Sequence, residues 1–136
     1  MVTLTIPSSS NELDRVLDFI SLGHEVVNCS IEFWMELFDT VQKVFINIVK
    51  YAYPTREGVV KITLNYIKEL QAIEVSFIDE GIPYNPLEGL TQTSAINKDN
   101  LLEGTLGITV QEKSSEEMSY VYLNQKNITT IKKYLE

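Results

Sequence analysis

A change of period at Pro54 decides what this chain builds. Before it, Trp34, Leu37, Phe38, Val41, Phe45, Ile48 and Ala52 recur every three or four residues, the spacing that lines one face of a helix. Pro54 ends that run, because its ring removes a backbone donor and clashes with the preceding turn. After it the apolar residues alternate: Val60, Ile62, Leu64 and Tyr66, then Ile73, Val75 and Phe77 beyond a turn around Lys68 to Leu70. Such alternation predicts an antiparallel hairpin with one buried face. The helix is the longest and most apolar in the sequence. It is therefore expected to lie on the sheet as the centre of the core.

The flanks extend this plan. Val2 to Ile6 read as an opening strand closed by Pro7 and three serines. Ser10 or Asn11 is placed to cap a helix carrying Leu13, Val16, Leu17 and Ile20, with Gly23 as its stop. The long helix is expected to start near Ser30. Ile82 to Glu103 breaks the rhythm with Pro83, Pro86, Gly89 and a polar tract, a loop of a length usually tied to function. Gly104 to about Ser114 reads as a short, weak helix, and Met118–Leu123 with Ile128–Ile131 as a last hairpin. The expected fold is a single α+β domain over residues 1–136. It is a two-layer sandwich of about three helices on one face of a mixed, mostly antiparallel sheet of about five strands.

Composition narrows the function classes. Eleven Lys and Arg against nineteen Asp and Glu give a net charge of −8, a surface that repels phosphate backbones and anionic lipid. Direct nucleic-acid and membrane contact are therefore not expected. No stretch approaches the roughly 18 apolar residues of a membrane span, and Met1 to Ser10 lacks the pattern of a secretory signal. A lone cysteine, Cys29, excludes a disulfide framework and a cysteine metal cluster, and reads as a small buried hydrophobe. A cytoplasmic location is expected. His24 is the sole histidine and forms no metal set. Ser8 to Ser10 have no neighbouring base and read as cap and turn residues. The aromatic residues, Trp34 among them, fall on expected core positions.

Three features carry possible chemistry. Asn47 is a polar residue inside the apolar run Val44 to Val49 of the long helix, where a solvent-edge position is the plain alternative. Asp79-Glu80-Gly81-Ile82-Pro83 follows directly on a buried strand. A carboxylate at a strand end beside a glycine can accept from a ligand while the backbone comes close; an ordinary turn would look the same. Gly104-Thr105-Leu106-Gly107 precedes the expected short helix, whose free N–H groups and dipole would favour phosphate.

Taken in order, these stretches resemble the anti-sigma-factor serine/threonine kinases, a branch of the ATPases that includes gyrase and histidine kinases. Asn47-Ile-Val-Lys-Tyr-Ala-Tyr-Pro54 is similar to the family's motif in which an asparagine precedes His-Ala-Tyr-Pro. Asp79-Glu-Gly-Ile-Pro-Tyr-Asn-Pro86 resembles its Asp-x-Gly motif, which usually continues Pro-Phe-Asp-Pro. Glu103-Gly-Thr-Leu-Gly-Ile108 resembles its Gly-Gly-Leu-Gly-Ile segment, and the likeness covers essentially the whole chain from Ile6. The resemblance implies a histidine-kinase-like (Bergerat-type) ATP-binding fold with ATP or ADP and Mg²⁺ as cofactors. Asp79 would accept from the adenine amino group, and Gly81 would let the base lie close. Gly104, Thr105 and Gly107 would shape the lid end around the phosphates. Asn47 would help hold Mg²⁺, a hard cation suited to oxygen ligands, and Arg15 matches a phosphate-side arginine loosely. The implied partner is a sigma factor or an anti-sigma antagonist, and a homodimer is compatible.

Departures from the family's pattern are as informative. The family's general-base glutamate, one helical turn before the asparagine, is Lys43 here. An ammonium takes no proton at pH 7 unless its pKa falls by about three from its usual ~10.4. Gln42 and Glu36 have the wrong spacing to replace it. Tyr51 stands for the usual histidine and Thr105 for one glycine of the pair. The expected function is a nucleotide-binding regulator impaired in catalysis. A protein-interaction module that has lost its nucleotide and an active kinase using another base stand as the alternatives.

Overall fold

The computed structural model of the chain describes residues 1–84, the backbone of 106–113, and residues 116–135. Its strands are β1 (Val2–Pro7), β2 (Val59–Ile67), β3 (Ala72–Asp79), β4 (Leu106–Lys113), β5 (Glu116–Leu123) and β6 (Lys126–Tyr134). Its α-helices are α1 (Leu13–Ser21) and α2 (Ile31–Tyr51), supplemented by three short 3-10 turns. The strands form one sheet in the order β1-β2-β3-β6-β5-β4, and every neighbouring pair is antiparallel.

The α+β class is as expected, but two parts of the expected architecture are corrected. Among the described residues the sheet has six strands and no parallel pair, instead of a mixed, mostly antiparallel sheet of about five. Two α-helices stand among the described residues where about three were expected, because most of the segment read as a short third helix is strand β4. Ile108, Thr109 and Val110 are β-branched or short polar residues that lose rotamer freedom in a helix. Their backbone finds partners on β5, with Ile108 opposite Tyr120 and Val110 opposite Met118. The 82–103 loop lies largely outside the described residues.

The sheet register explains why the core forms on one face. Val60, Phe77, Val75, Ile73, Ile131 and Met118 are all buried and all fall on the same side of the antiparallel pleat. Against that side α2 sets Phe33, Trp34, Leu37, Val41, Val44, Phe45 and Ile48, and α1 adds Val16, Phe19 and Ile20. Ser30 starts α2 as predicted, its Oγ accepting from the Phe33 N–H at 3.2 Å. Neither Ser10 nor Asn11 caps α1: Ser9 accepts from Asn11 at 3.3 Å and opens the 3-10 turn Ser10–Glu12, from which α1 follows with Glu12 at its cap position and no side-chain cap bond. Gly23 lies past the end of α1, where the Trp34 ring leaves no room for a Cβ.

At the far end of the same face sits a buried charged cluster. Lys133 Nζ donates to Glu36 Oε2 of α2 at 2.9 Å, stands 3.5 Å from Glu116 Oε2, and lies 5.1 Å from the centre of the Phe33 ring. Thr40 of α2 donates to Glu116 Oε1. The cluster pins the middle of the long helix to β5 and β6. Cys29 is half-buried, and His24 stacks on Trp34 with ring centres 4.1 Å apart.

Candidate functional site: a buried carboxylate at the end of β3

Asp79 ends β3 on the helix-covered face and is 2% exposed. The antiparallel register sets Val60 on one side of it and Asn127 on the other. Its Oδ1 accepts from the Gly81 backbone N–H at 2.9 Å and from Asn127 Nδ2 at 2.8 Å. Its Oδ2 accepts from the Tyr84 hydroxyl at 3.2 Å. Burial raises the Asp79 pKa above its ordinary value, while the bonds from Asn127, Gly81 and Tyr84 pull it back down.

The surrounding donors and acceptors close on one another. Asn127 also donates to the Ile82 carbonyl at 2.9 Å, and its Oδ1 accepts from the Tyr120 hydroxyl. That hydroxyl in turn accepts from the Tyr84 N–H at 3.2 Å. Desolvation pushes the Tyr120 phenol up to about 12 and raises the Tyr84 phenol further, helped in both cases by the Asp79 charge. Tyr84 therefore donates to the carboxylate as a neutral phenol. A buried carboxylate needs such partners, since leaving one unmade costs more than the bond yields.

The C-terminus of α2 sets the geometry of the turn. Ile82 N–H donates to the Ala52 carbonyl at 2.9 Å, and Gly81 packs so closely on that carbonyl that a Cβ there would overlap it. Glycine at position 81 thus answers to the helix end. Tyr53 fastens the outer side: its hydroxyl accepts from Glu80 N–H at 2.9 Å and donates to the Val59 carbonyl at 2.7 Å. Arg56 lies 5.2 Å above the Tyr53 ring and donates to the Glu80 carbonyl. A cleft of about 220 Å³ opens here, lined among others by Ala52, Arg56, Gly81 and Tyr122. A larger concavity of about 710 Å³ lies instead between Ser8–Glu12 and Glu57–Val59.

The remaining expected residues are placed as follows. Asn47 is half-buried on α2, one turn beyond Lys43. Lys43 is about half exposed and pairs with Asp39 at 3.0 Å, one turn earlier. Arg15 pairs with Glu12 at 2.9 Å on the exposed side of α1. Gly107 belongs to β4 and pairs with Val121, so the phosphate-binding helix start expected there is replaced by an edge strand. Gly104 and Thr105 lie outside the described residues. No group of three or more His, Cys, Asp or Glu able to hold a metal occurs among the described residues. The nucleotide implied by the resemblance would meet one buried carboxylate, Asp79, whose two oxygens already have partners within the chain, and at Gly107 a strand in place of the expected helix start.

Sequence reasoning missed Tyr84, Tyr120 and Asn127. Asn127 falls just before the Ile128–Ile131 segment read as the last strand, and only the observed register sets it opposite Asp79. No protein-family model matches the chain, and a comparison with curated proteins returns no match.

Proposed function

We propose that the chain is a regulator of the anti-sigma-factor type that acts in the cytoplasm by binding a protein partner. ATP or ADP serves it as a control ligand instead of a phosphate source. The observation that carries this reading is the buried Asp79 carboxylate at the terminus of β3, beside Gly81 and beneath the end of α2. An acceptor held this way, away from water, suits the amino group of a base far better than an exposed one would. The absence of transfer chemistry rests on Lys43. Its ammonium is taken up by Asp39 and has no lone pair with which to accept a hydroxyl proton. The partner is a sigma factor or its antagonist on the strength of the sequence resemblance, an argument by analogy.

One observation favours the second reading, a protein-interaction module without nucleotide. Both oxygens of Asp79 already have partners within the chain, and β4 replaces the expected helix start. Calorimetric titration of the pure protein with ATP and with ADP, with and without Mg²⁺, decides between them. The nucleotide reading predicts saturable one-to-one binding that Asp79→Ala abolishes. Absence of binding under all four conditions would leave the interaction module.

A further inference from the structure

We infer that Tyr84 is the resident occupant of the Asp79 acceptor, and that a ligand's exocyclic amino group binds there only by displacing the Tyr84 hydroxyl. This rests on the nucleotide reading above and adds to it the residue that sets affinity and selects the base.

An ionised carboxylate offers about four lone-pair positions on its two oxygens. Oδ1 is committed to two donors that the fold fixes in place, the Gly81 N–H at the β3 terminus and Asn127 on β6. The Gly81 N–H cannot leave without undoing the turn, and the Asn127 amide is held in place by the Tyr120 hydroxyl and the Ile82 carbonyl. Oδ2 faces Tyr84. At 3.2 Å that bond is long for a hydroxyl on a carboxylate, where about 2.5–2.7 Å is usual. It is the weakest hold on Asp79 and the one most easily exchanged. The Tyr84 side chain is half-buried and lies between two other aromatic rings, 6.4 Å from Tyr51 and 6.3 Å from Tyr120. Its backbone N–H is tethered to the Tyr120 hydroxyl. A phenol leaving Oδ2 strands a buried negative charge, so whatever replaces it has to bring a donor. An aminopurine does so through its exocyclic amino group, whereas an oxopurine presents a carbonyl oxygen at that position, which a carboxylate repels. With Tyr84 seated, the open fraction is small, and apparent affinity falls by that fraction.

The test is titration of wild type and Tyr84→Phe with ATP and with ITP, whose base has no exocyclic amino group. Circular dichroism and melting confirm that the variant is folded. Removing the hydroxyl leaves Asp79 short of one donor, so ATP is expected to bind Tyr84→Phe about tenfold or more tightly, the size of one charge-assisted bond. ITP is expected to gain nothing. In the unaltered protein, saturating ATP should free one further phenol to ionise near its ordinary pH, read by absorbance. ATP binding to wild type that is unchanged or weakened in Tyr84→Phe, or ITP gaining equally, overturns the role of Tyr84 while the nucleotide reading stands. No ATP binding by either protein overturns both.

Discussion

At Asp79 a titratable group has been moved into the protein, and the consequence is measurable as pH dependence. Its pKa is raised from 3.8 by burial, so the folded state holds the proton more tightly than the unfolded chain does. The stability this contributes is complete below pH 3.8 and is lost as pH rises through the folded value. Asp79→Asn cannot titrate. The difference in unfolding free energy, wild type minus Asp79→Asn, should therefore fall as pH rises above 3.8 in urea titrations. A flat difference would mean that Asp79 titrates alike in both states. Gly81 is the other residue whose identity the turn dictates, because the Ala52 carbonyl occupies the room of a Cβ. Gly81→Ala should cost about 1–3 kcal/mol through overpacking, seen as a lower denaturation midpoint. A neutral substitution would show that the end of α2 yields.

Among the elements, what the sequence made legible followed from where local pattern and burial agree. The helix α2 and the β2–β3 hairpin were readable because their apolar residues fall on the buried face. Strand β6 inverts the rule: Asn127, Thr129 and Lys133 point into the protein while Ile128 and Thr130 sit on the more open face. Period alone assigns such a strand to the wrong side, so Asn127 was invisible as a partner of Asp79. Strand β4 was misread because two glycines before a short apolar stretch imitate a helix start, and its pairing with β5 is non-local. The polar side chains that β6 turns inward are held by charge. Removing Lys133 as Lys133→Met would leave Glu116 buried without its counter-ion and should cost about 3–5 kcal/mol. The double change with Glu116→Leu should recover much of that in denaturant titrations, and failure to recover would assign the loss to packing. On α2 the position to which the proposed kinase resemblance would assign a general base holds Lys43, paired with Asp39. Radiolabelled phosphate transfer to a partner serine should be 10²- to 10⁴-fold below that of an enzyme with a positioned base. Lys43→Glu is the variant in which transfer should appear, and robust transfer by wild type would refute the regulatory reading.

For the whole molecule the account joins a six-stranded antiparallel sheet, covered on one face by two helices, to an acidic surface of net charge −8. No helix among the described residues is long and apolar enough to cross a membrane. If the proposed regulatory reading holds, capture from the source cell should recover a sigma factor or a small antagonist domain. Recovery of neither would count against the partner. The α+β class was legible from the switch of period at Pro54. The closed network of Asp79, Tyr84, Tyr120 and Asn127 was not, because it joins strands far apart in sequence. The central claim is that this network yields to a nucleotide. A ligand bound to the native state alone stabilises it by about 2.7 kcal/mol at 100 times its dissociation constant, a melting shift of several degrees for a domain of this size. The most direct measurement is the melting temperature of wild type and Asp79→Ala with millimolar ATP or ADP. A shift of several degrees in wild type and none in Asp79→Ala is the predicted result. No shift in wild type, or equal shifts in both, would contradict the account.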